Sequence, residues 1–135
     1  MRILVADDDP FIRRIVELAL TKWGYEVMSV PDGNEALRLL SQDDGPRLAI
    51  LDWMMPGIDG LEVIREVRRW DRQSYVYIVM LTGRSEARDI ETGLETGADD
   101  YITKPLDLME LKARISCAQR VIQLQSEVIA SQSGR

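Results

Sequence analysis

The sequence has 135 residues, room for one complete core and a short appendage but not for a second full-size domain. Lys and Arg number 17 against 23 Asp and Glu, a formal net charge of −6, so a phosphate backbone is repelled on average and nucleic-acid binding by this segment is disfavoured. With 45% hydrophobic and 30% charged residues the chain has the composition of a folding globule, and the absence of His removes imidazole bases, catalytic triads and most zinc sites.

Short apolar runs alternate with segments of helical period, the pattern of βα units around a parallel sheet. Ile3 to Ala6 is the first predicted strand, and Ile12, Ile15, Val16, Ala19, Leu20 and Trp23 then recur as one buried helix face. Gly24 stops that helix, Tyr25 to Val30 forms the second strand, and Pro31-Asp32-Gly33 turns the chain. Asp32 with Glu35 makes a capping box for a helix built on Ala36, Leu37 and Leu40. Leu48 to Leu51 is the third strand, and Asp59 with Glu62 caps a helix carrying Val63, Ile64 and Val67. Val76 to Leu81 is a fourth strand, apolar and β-branched as burial on both faces requires. Ser85 caps the next helix, which turns Ala87, Ile90 and Leu94 inward and ends at Gly97; Tyr101-Ile102 is a short fifth strand, and Asp107 with Glu110 caps the last helix. The tail SQSGR reads as disordered.

The N-terminus meets acids at position 7, unlike a signal peptide, and no run approaches the ~20 apolar residues of a membrane span. The single cysteine, Cys117, has no internal partner and no metal-ligand spacing, and reads as a small core or helix-face residue. The chain therefore reads as cytoplasmic.

In an open parallel sheet, ligands bind beyond the carboxyl ends of the strands, where the strand order reverses. Asp7-Asp8-Asp9 follow strand one, Asp52 follows strand three, Thr82 strand four and Lys104-Pro105 strand five, whereas strand two ends in Val30-Pro31. A sheet ordered 2-1-3-4-5 brings the polar set into one crevice and leaves strand two at an edge. Three adjacent carboxylates repel unless a cation neutralises them, and oxygen ligands without His or Cys select a hard one, Mg2+ with retained waters. A hydroxyl and an ammonium beside that ion suit a transferring phosphoryl group. Each residue alone has a plainer role: Asp7 or Asp9 as a helix cap, Lys-Pro as a surface turn, Thr82 bonded to local backbone. Arg65, Arg68, Arg69 and Arg72, interleaved with Glu66 and Asp71, read as a solvated helix face.

Through ILVADDDP, LDWMMPGIDGLEVIREVR, VMLTG and GADDYITKP, in order over residues 1 to about 120, the chain resembles the receiver domains of two-component response regulators. The resemblance implies a flavodoxin-like (βα)5 fold in which Asp52 is the phosphoacceptor. It also implies that Asp8 ligates Mg2+, that Asp7 acts directly or through a water, and that the main-chain carbonyl of Met54 completes the protein ligands. Thr82 and Lys104 would hold phosphoryl oxygens, Tyr101 would be the rotating aromatic of the switch, and Asp9 would cap a helix. The expected donor is a phosphohistidine on a sensor histidine kinase or phosphotransfer protein, and the expected output surface is helix 4, strand 5 and helix 5.

Rival readings are a Mg2+-dependent aspartyl-phosphate phosphohydrolase, opposed by Met54 where such enzymes carry a second acid; a flavodoxin-like binding module, opposed by the acidic first loop; and a pseudo-receiver, opposed by the complete polar set. Residues 1–120 are the expected receiver domain and 121–135 a helical extension, a coiled-coil linker with a disordered tail. Leu108, Leu111, Ile115, Ala118 and Ile122 form the expected core stripe of the last helix, and Val121, Leu124 and Val128 a second seam for a homodimer strengthened by phosphorylation. Asp100 and Arg114 match a cross-subunit ion pair of DNA-binding relatives of the family.

Overall fold

The computed structural model describes residues 1–70, 74–83 and 87–133. The elements alternate in chain order: β1 (Arg2–Ala6), α1 (Pro10–Lys22), β2 (Glu26–Val30), α2 (Gly33–Leu40), β3 (Leu48–Leu51), α3 (Gly60–Arg69), β4 (Tyr77–Thr82), α4 (Ala87–Thr96), β5 (Asp100–Thr103) and α5 (Leu108–Ser133). The strands form one parallel sheet in the expected order 2-1-3-4-5. Registers Ala6 with Leu51, Leu51 with Met80, and Thr82 with Thr103 bring the carboxyl ends of β1, β3, β4 and β5 together.

The central strands β3 and β4 are buried along their whole length because both sheet faces carry an apolar layer. On one face Leu4, Ala49, Leu51, Ile78 and Met80 pack against Ala36, Leu40, Val63 and Ile64; on the other Ile3, Val5, Ile50, Val79 and Ile102 pack against Val16, Leu20, Leu111 and Ile115. Helix ends follow their sequence signals. Asp9, Asp32, Asp59 and Asp107 each accept a backbone N–H from the first helical turn. Gly24 and Gly97 carry φ of +95° and +128°, which L side chains resist, and so end α1 and α4.

Several expectations are corrected. Glu35 and Glu62 do not close capping boxes; their carboxylates pair with Arg38 and Arg65, the cationic neighbours three residues on. Leu94 is 44% exposed, and Gly93 is buried instead, because Tyr101 packs where a side chain at 93 would stand. Leu108 is 39% exposed at the first position of α5, with Leu106 taking the place beside the core. Of the two readings of Cys117 the helix-face one holds, and the residue is exposed. The last helix continues to Ser133, since nothing before Gly134 breaks it, so 131–133 are helical rather than disordered. Ser85, Arg72, Asp71 and Arg84 lie outside the described residues.

Candidate functional site

The backbone places the polar residues before their side chains do. The Asp52 N–H donates to the Ala6 carbonyl at 2.9 Å and the Asp7 N–H to the Val30 carbonyl at 3.2 Å, so the ladder runs on past the strand ends and fixes positions 7 and 52 side by side. The Lys104 N–H donates to the Thr82 carbonyl at 2.7 Å, doing the same for the neighbouring pair. The Lys104–Pro105 peptide is cis. At the start of α3, a Cβ on Gly60 would lie 2.4 Å from the Asp52 carbonyl oxygen, so only glycine lets this helix approach the strand end that carries Asp52.

Asp7, Asp8 and Asp52 each offer a carboxylate oxygen, and these oxygens lie within 4.8 Å of one another. Asp7 and Asp52 are buried and Asp8 is exposed, so the cluster opens to solvent on one side. The Lys104 Nζ sits between the two buried acids, 3.4 Å from Asp7 Oδ2 and 3.5 Å from Asp52 Oδ2. Asp7 is held firmly: its Oδ1 accepts from the Asp9 N–H at 2.9 Å and its carbonyl from Arg13 Nη1 at 2.7 Å. Burial, then the Asp7 charge, push the Asp52 carboxyl up to about 6, with Lys104 pulling the other way. The Lys104 ammonium offsets one of three negative charges. An oxygen-only donor set with surplus negative charge and one open side fits a hard divalent cation that keeps waters.

Thr82 ends β4 and is 2% exposed. Met54 lies in the loop after β3 with its side chain turned to solvent. Tyr101 is half-buried beside Gly93, where an added Cβ would come within 3.2 Å of Tyr101 Cε2 and 4.0 Å of Trp53 Cζ3. Trp53, next to Asp52 in sequence, is buried in the same core layer against which Tyr101 packs. Asp9 caps α1, with its Oδ1 accepting from Phe11 and Ile12. Asp100 and Arg114 pair within the chain at 3.6 Å.

Sequence reasoning missed a second polar centre at the opposite end of the sheet. Arg65 and Arg69 pair with Glu62 and Glu66 as solvated residues do, but Arg68 donates to the Gly97 and Val76 carbonyls and to Asp99 Oδ2 at 2.9 Å. Asp99 also accepts from the Ile78 N–H at 2.8 Å and from the Tyr75 hydroxyl. Burial and the Asp99 carboxylate push the Tyr75 phenol up to about 12. A signal existed: Arg68 follows Leu61 and Ile64 by seven and four residues, on the buried stripe of α3.

A family model described as the response regulator receiver domain matches residues 3–116. Among curated proteins, a probable transcriptional regulator ycf27 of Galdieria sulphuraria is 49% identical over 119 residues, 88% of this chain and 45% of that protein. The transcriptional regulatory protein AfsQ1 of Streptomyces coelicolor is 43% identical over 118 residues, 87% of this chain and 51% of that protein. The chain thus spans about half the length of the curated relatives it matches. Among solved structures, a Francisella response regulator 1452 receiver domain superposes with a TM-score of 0.79 at 30% identity, covering 86% of this chain and 93% of that one. A putative response regulator from Chloroflexus aurantiacus gives 0.78 at 35% identity, covering 84% and 93%.

Proposed function

We propose that this chain, which belongs to the response regulator receiver domain family, accepts a phosphoryl group on the Asp52 carboxylate from a phosphohistidine of a sensor histidine kinase or phosphotransfer protein. The observation that carries the reading is the convergence of Asp7, Asp8 and Asp52 within 4.8 Å, with the Lys104 ammonium 3.5 Å from Asp52, at the carboxyl end of the sheet. An Asp52 oxygen attacks phosphorus; the bond from phosphorus to the donor nitrogen breaks, and its electron pair stays on the imidazole. With its carboxyl at about 6, Asp52 is mostly ionised at neutral pH and available as the nucleophile.

Asp7, Asp8, Asp52 and the main-chain carbonyl of Met54 would hold Mg2+, which when bound supplies positive charge to the acid cluster and the phosphoryl oxygens. Lys104 pairs with a phosphoryl oxygen in place of the carboxylates, and the Thr82 hydroxyl donates to another. The movement of Thr82 and Lys104 toward the new charge frees space for the Tyr101 ring, already packed against the bare backbone of Gly93, to turn further inward. The surface of α4, β5 and α5 then changes shape for an output domain or partner, including a second copy of the chain. In this reading the domain promotes its own phosphorylation and dephosphorylation and turns over no separate substrate. Among the described residues no helix is long and apolar enough to cross a membrane, and we place the domain in the cytoplasm, where such kinases present their phosphohistidine.

The test is incubation with acetyl phosphate and magnesium followed by intact mass. One phosphoryl adduct is expected on the native chain and none on Asp52→Asn; an adduct of equal yield on that variant overturns the assignment.

A further inference from the structure

The core stripe of α5, Leu111, Ile115, Ala118 and Ile122, is buried against the sheet. A second stripe begins while the helix is still on the domain. Cys117, Val121, Leu124 and Val128 follow one another at spacings of four, three and four and are all exposed, the last three by 44%, 61% and 54%. At about 100° per residue this stripe lies roughly 120° around the helix from the core stripe. It is therefore not the far edge of the core face but a separate one.

The root of the extension is fixed. Arg47, just before β3, donates from Nη2 to Gln125 Oε1 at 2.9 Å and from Nη1 to Ser126 Oγ at 3.4 Å, and the Tyr75 N–H donates to the same Gln125 oxygen at 3.3 Å. The stripe is thus presented by a helix anchored on both sides of its midpoint.

We propose that a second copy of this chain docks on this stripe, parallel and in register, so that Cys117 faces Cys117 and Leu124 faces Leu124. The proposal rests on the self-association named above and assigns its surface, direction and register. Three observations choose the occupant. In heptad terms Val121 and Val128 are a positions and Cys117 and Leu124 d positions, and β-branched a with Leu at d favours parallel two-stranded pairing. The segment from 117 to 128 carries one Arg and one Glu in a chain of net charge −6, so a second copy meets no local repulsion and a charged partner finds little to pair with. In the parallel arrangement each domain lies more than a right angle away from the partner helix, and the two domains fall on opposite sides of the helix pair. The exposed aliphatic groups amount to on the order of 200 Å² per protomer, against about 800 Å² per partner in a stable complex. The pair is accordingly weak and concentration-dependent in the unphosphorylated chain.

Cys117 is the chain's single cysteine, so disulfide formation reports the register directly. The full chain is oxidised with copper phenanthroline, with and without acetyl phosphate and magnesium, and its mass is followed in parallel by sedimentation equilibrium and by intact mass for the phosphoryl adduct. The expected result is a linked dimer that forms faster after phosphorylation, and at least tenfold more slowly in Val121→Lys with Leu124→Lys, a variant that keeps Cys117 exposed. Cys117→Ser with Val128→Cys should also link to itself. If linkage arises only when that variant is mixed with the native chain, the helices are antiparallel and the proposal is overturned. A sedimenting dimer without self-linkage overturns the register while leaving self-association standing; a monomer that carries the adduct overturns both, and leaves the phosphoacceptor reading intact.

Discussion

Replacing Asp52 by Asn should make the metal-free domain more stable while abolishing its chemistry. The Asp52 carboxyl is pushed up to about 6 in the folded protein, from about 3.9 for a free Asp side chain, chiefly because it is buried and next because Asp7 is adjacent. That rise makes the ionised carboxylate cost the fold about 3 kcal/mol. Its side chain is only 10% exposed, so solvent screening takes little of this away. The sign follows from proton uptake. Between the two values the folded state binds more protons than the unfolded one, so this group's destabilising effect is absent below the window and grows as pH rises through it. Near pH 7.5 Asp52→Asn should therefore exceed the native chain by about 2–3 kcal/mol, and near pH 4.5 by only about 1 kcal/mol. For a domain of this size that is on the order of 10 °C in Tm at the higher pH. The assay is thermal melting followed by circular dichroism in excess chelator at both pH values. An Asn variant no more stable than the native chain near neutrality, or a gap that does not shrink on acidification, refutes the electrostatic account. Excess magnesium should narrow the gap by stabilising the native chain, since a ligand that binds only the folded state shifts the equilibrium toward it.

Trp53 is buried next to Asp52, so titrating magnesium should change tryptophan fluorescence, and Asp8→Ala should lose most of the change; an unaltered titration removes Asp8 from the site. Asp99→Ala strands the Ile78 N–H, the Arg68 guanidinium and the Tyr75 hydroxyl together, and urea denaturation should show a loss of about 2–4 kcal/mol, well beyond that of the exposed-pair variant Glu66→Ala. The phosphorylated state should be long-lived, because the Met54 side chain is apolar and orients no attacking water and Arg84, two residues after Thr82 in the sequence, is bulky; with Met54→Asn and Arg84→Glu together the adduct should decay faster by intact mass, and an unchanged rate removes these positions from control of water access. Gly93→Val should crowd the Tyr101 ring out of the place it occupies beside α4, leaving the acetyl-phosphate adduct intact while removing the phosphorylation-dependent increase in Cys117 linkage.

The strand order and the acid cluster were legible because two strong regularities coincide. Apolar runs fix parallel strands, and the carboxyl ends of those strands carry Asp7, Asp8, Asp52, Thr82 and Lys104, so the topology need only be drawn for the residues to meet. What pattern reading lost was contact across the chain. Gly93 and Gly60 contribute no hydrophobic signal, yet each marks a place where another group passes too close for a Cβ, the Tyr101 ring in one case and the Asp52 backbone in the other. Leu94 looked inward only because glycine counts for nothing in a hydrophobic period. In the sequence Arg68 resembles its neighbours Arg65 and Arg69, and only the tertiary meeting of α3 with the α4–β5 turn distinguishes a half-buried donor from a solvated one.

The two polar centres divide the domain's work between the ends of its sheet. At the carboxyl end the carboxylates are in surplus, a charged cluster that a cation or phosphoryl group can rearrange. At the amino end the Arg68–Asp99–Tyr75 set pairs its charges and is closely hydrogen-bonded, and it ties α3, β4 and the turn before β5 to one another. Tyr75 belongs to both that set and the Gln125 contact, so the base of the α5 extension is joined to the rigid end rather than to the responsive one. On the proposed phosphoacceptor reading, the path from Asp52 to the extension runs through β5 and the packed stripe of α5, whose root is held at Arg47. A helix pinned at one point and pushed at another tilts, and tilt alters the angle at which two copies of the Val121–Val128 stripe meet. Arg47→Ala should therefore leave phosphoryl uptake unchanged but reduce the difference in Cys117 linkage between the phosphorylated and unphosphorylated chain. If that difference is kept in full, the pinned root plays no part in the response.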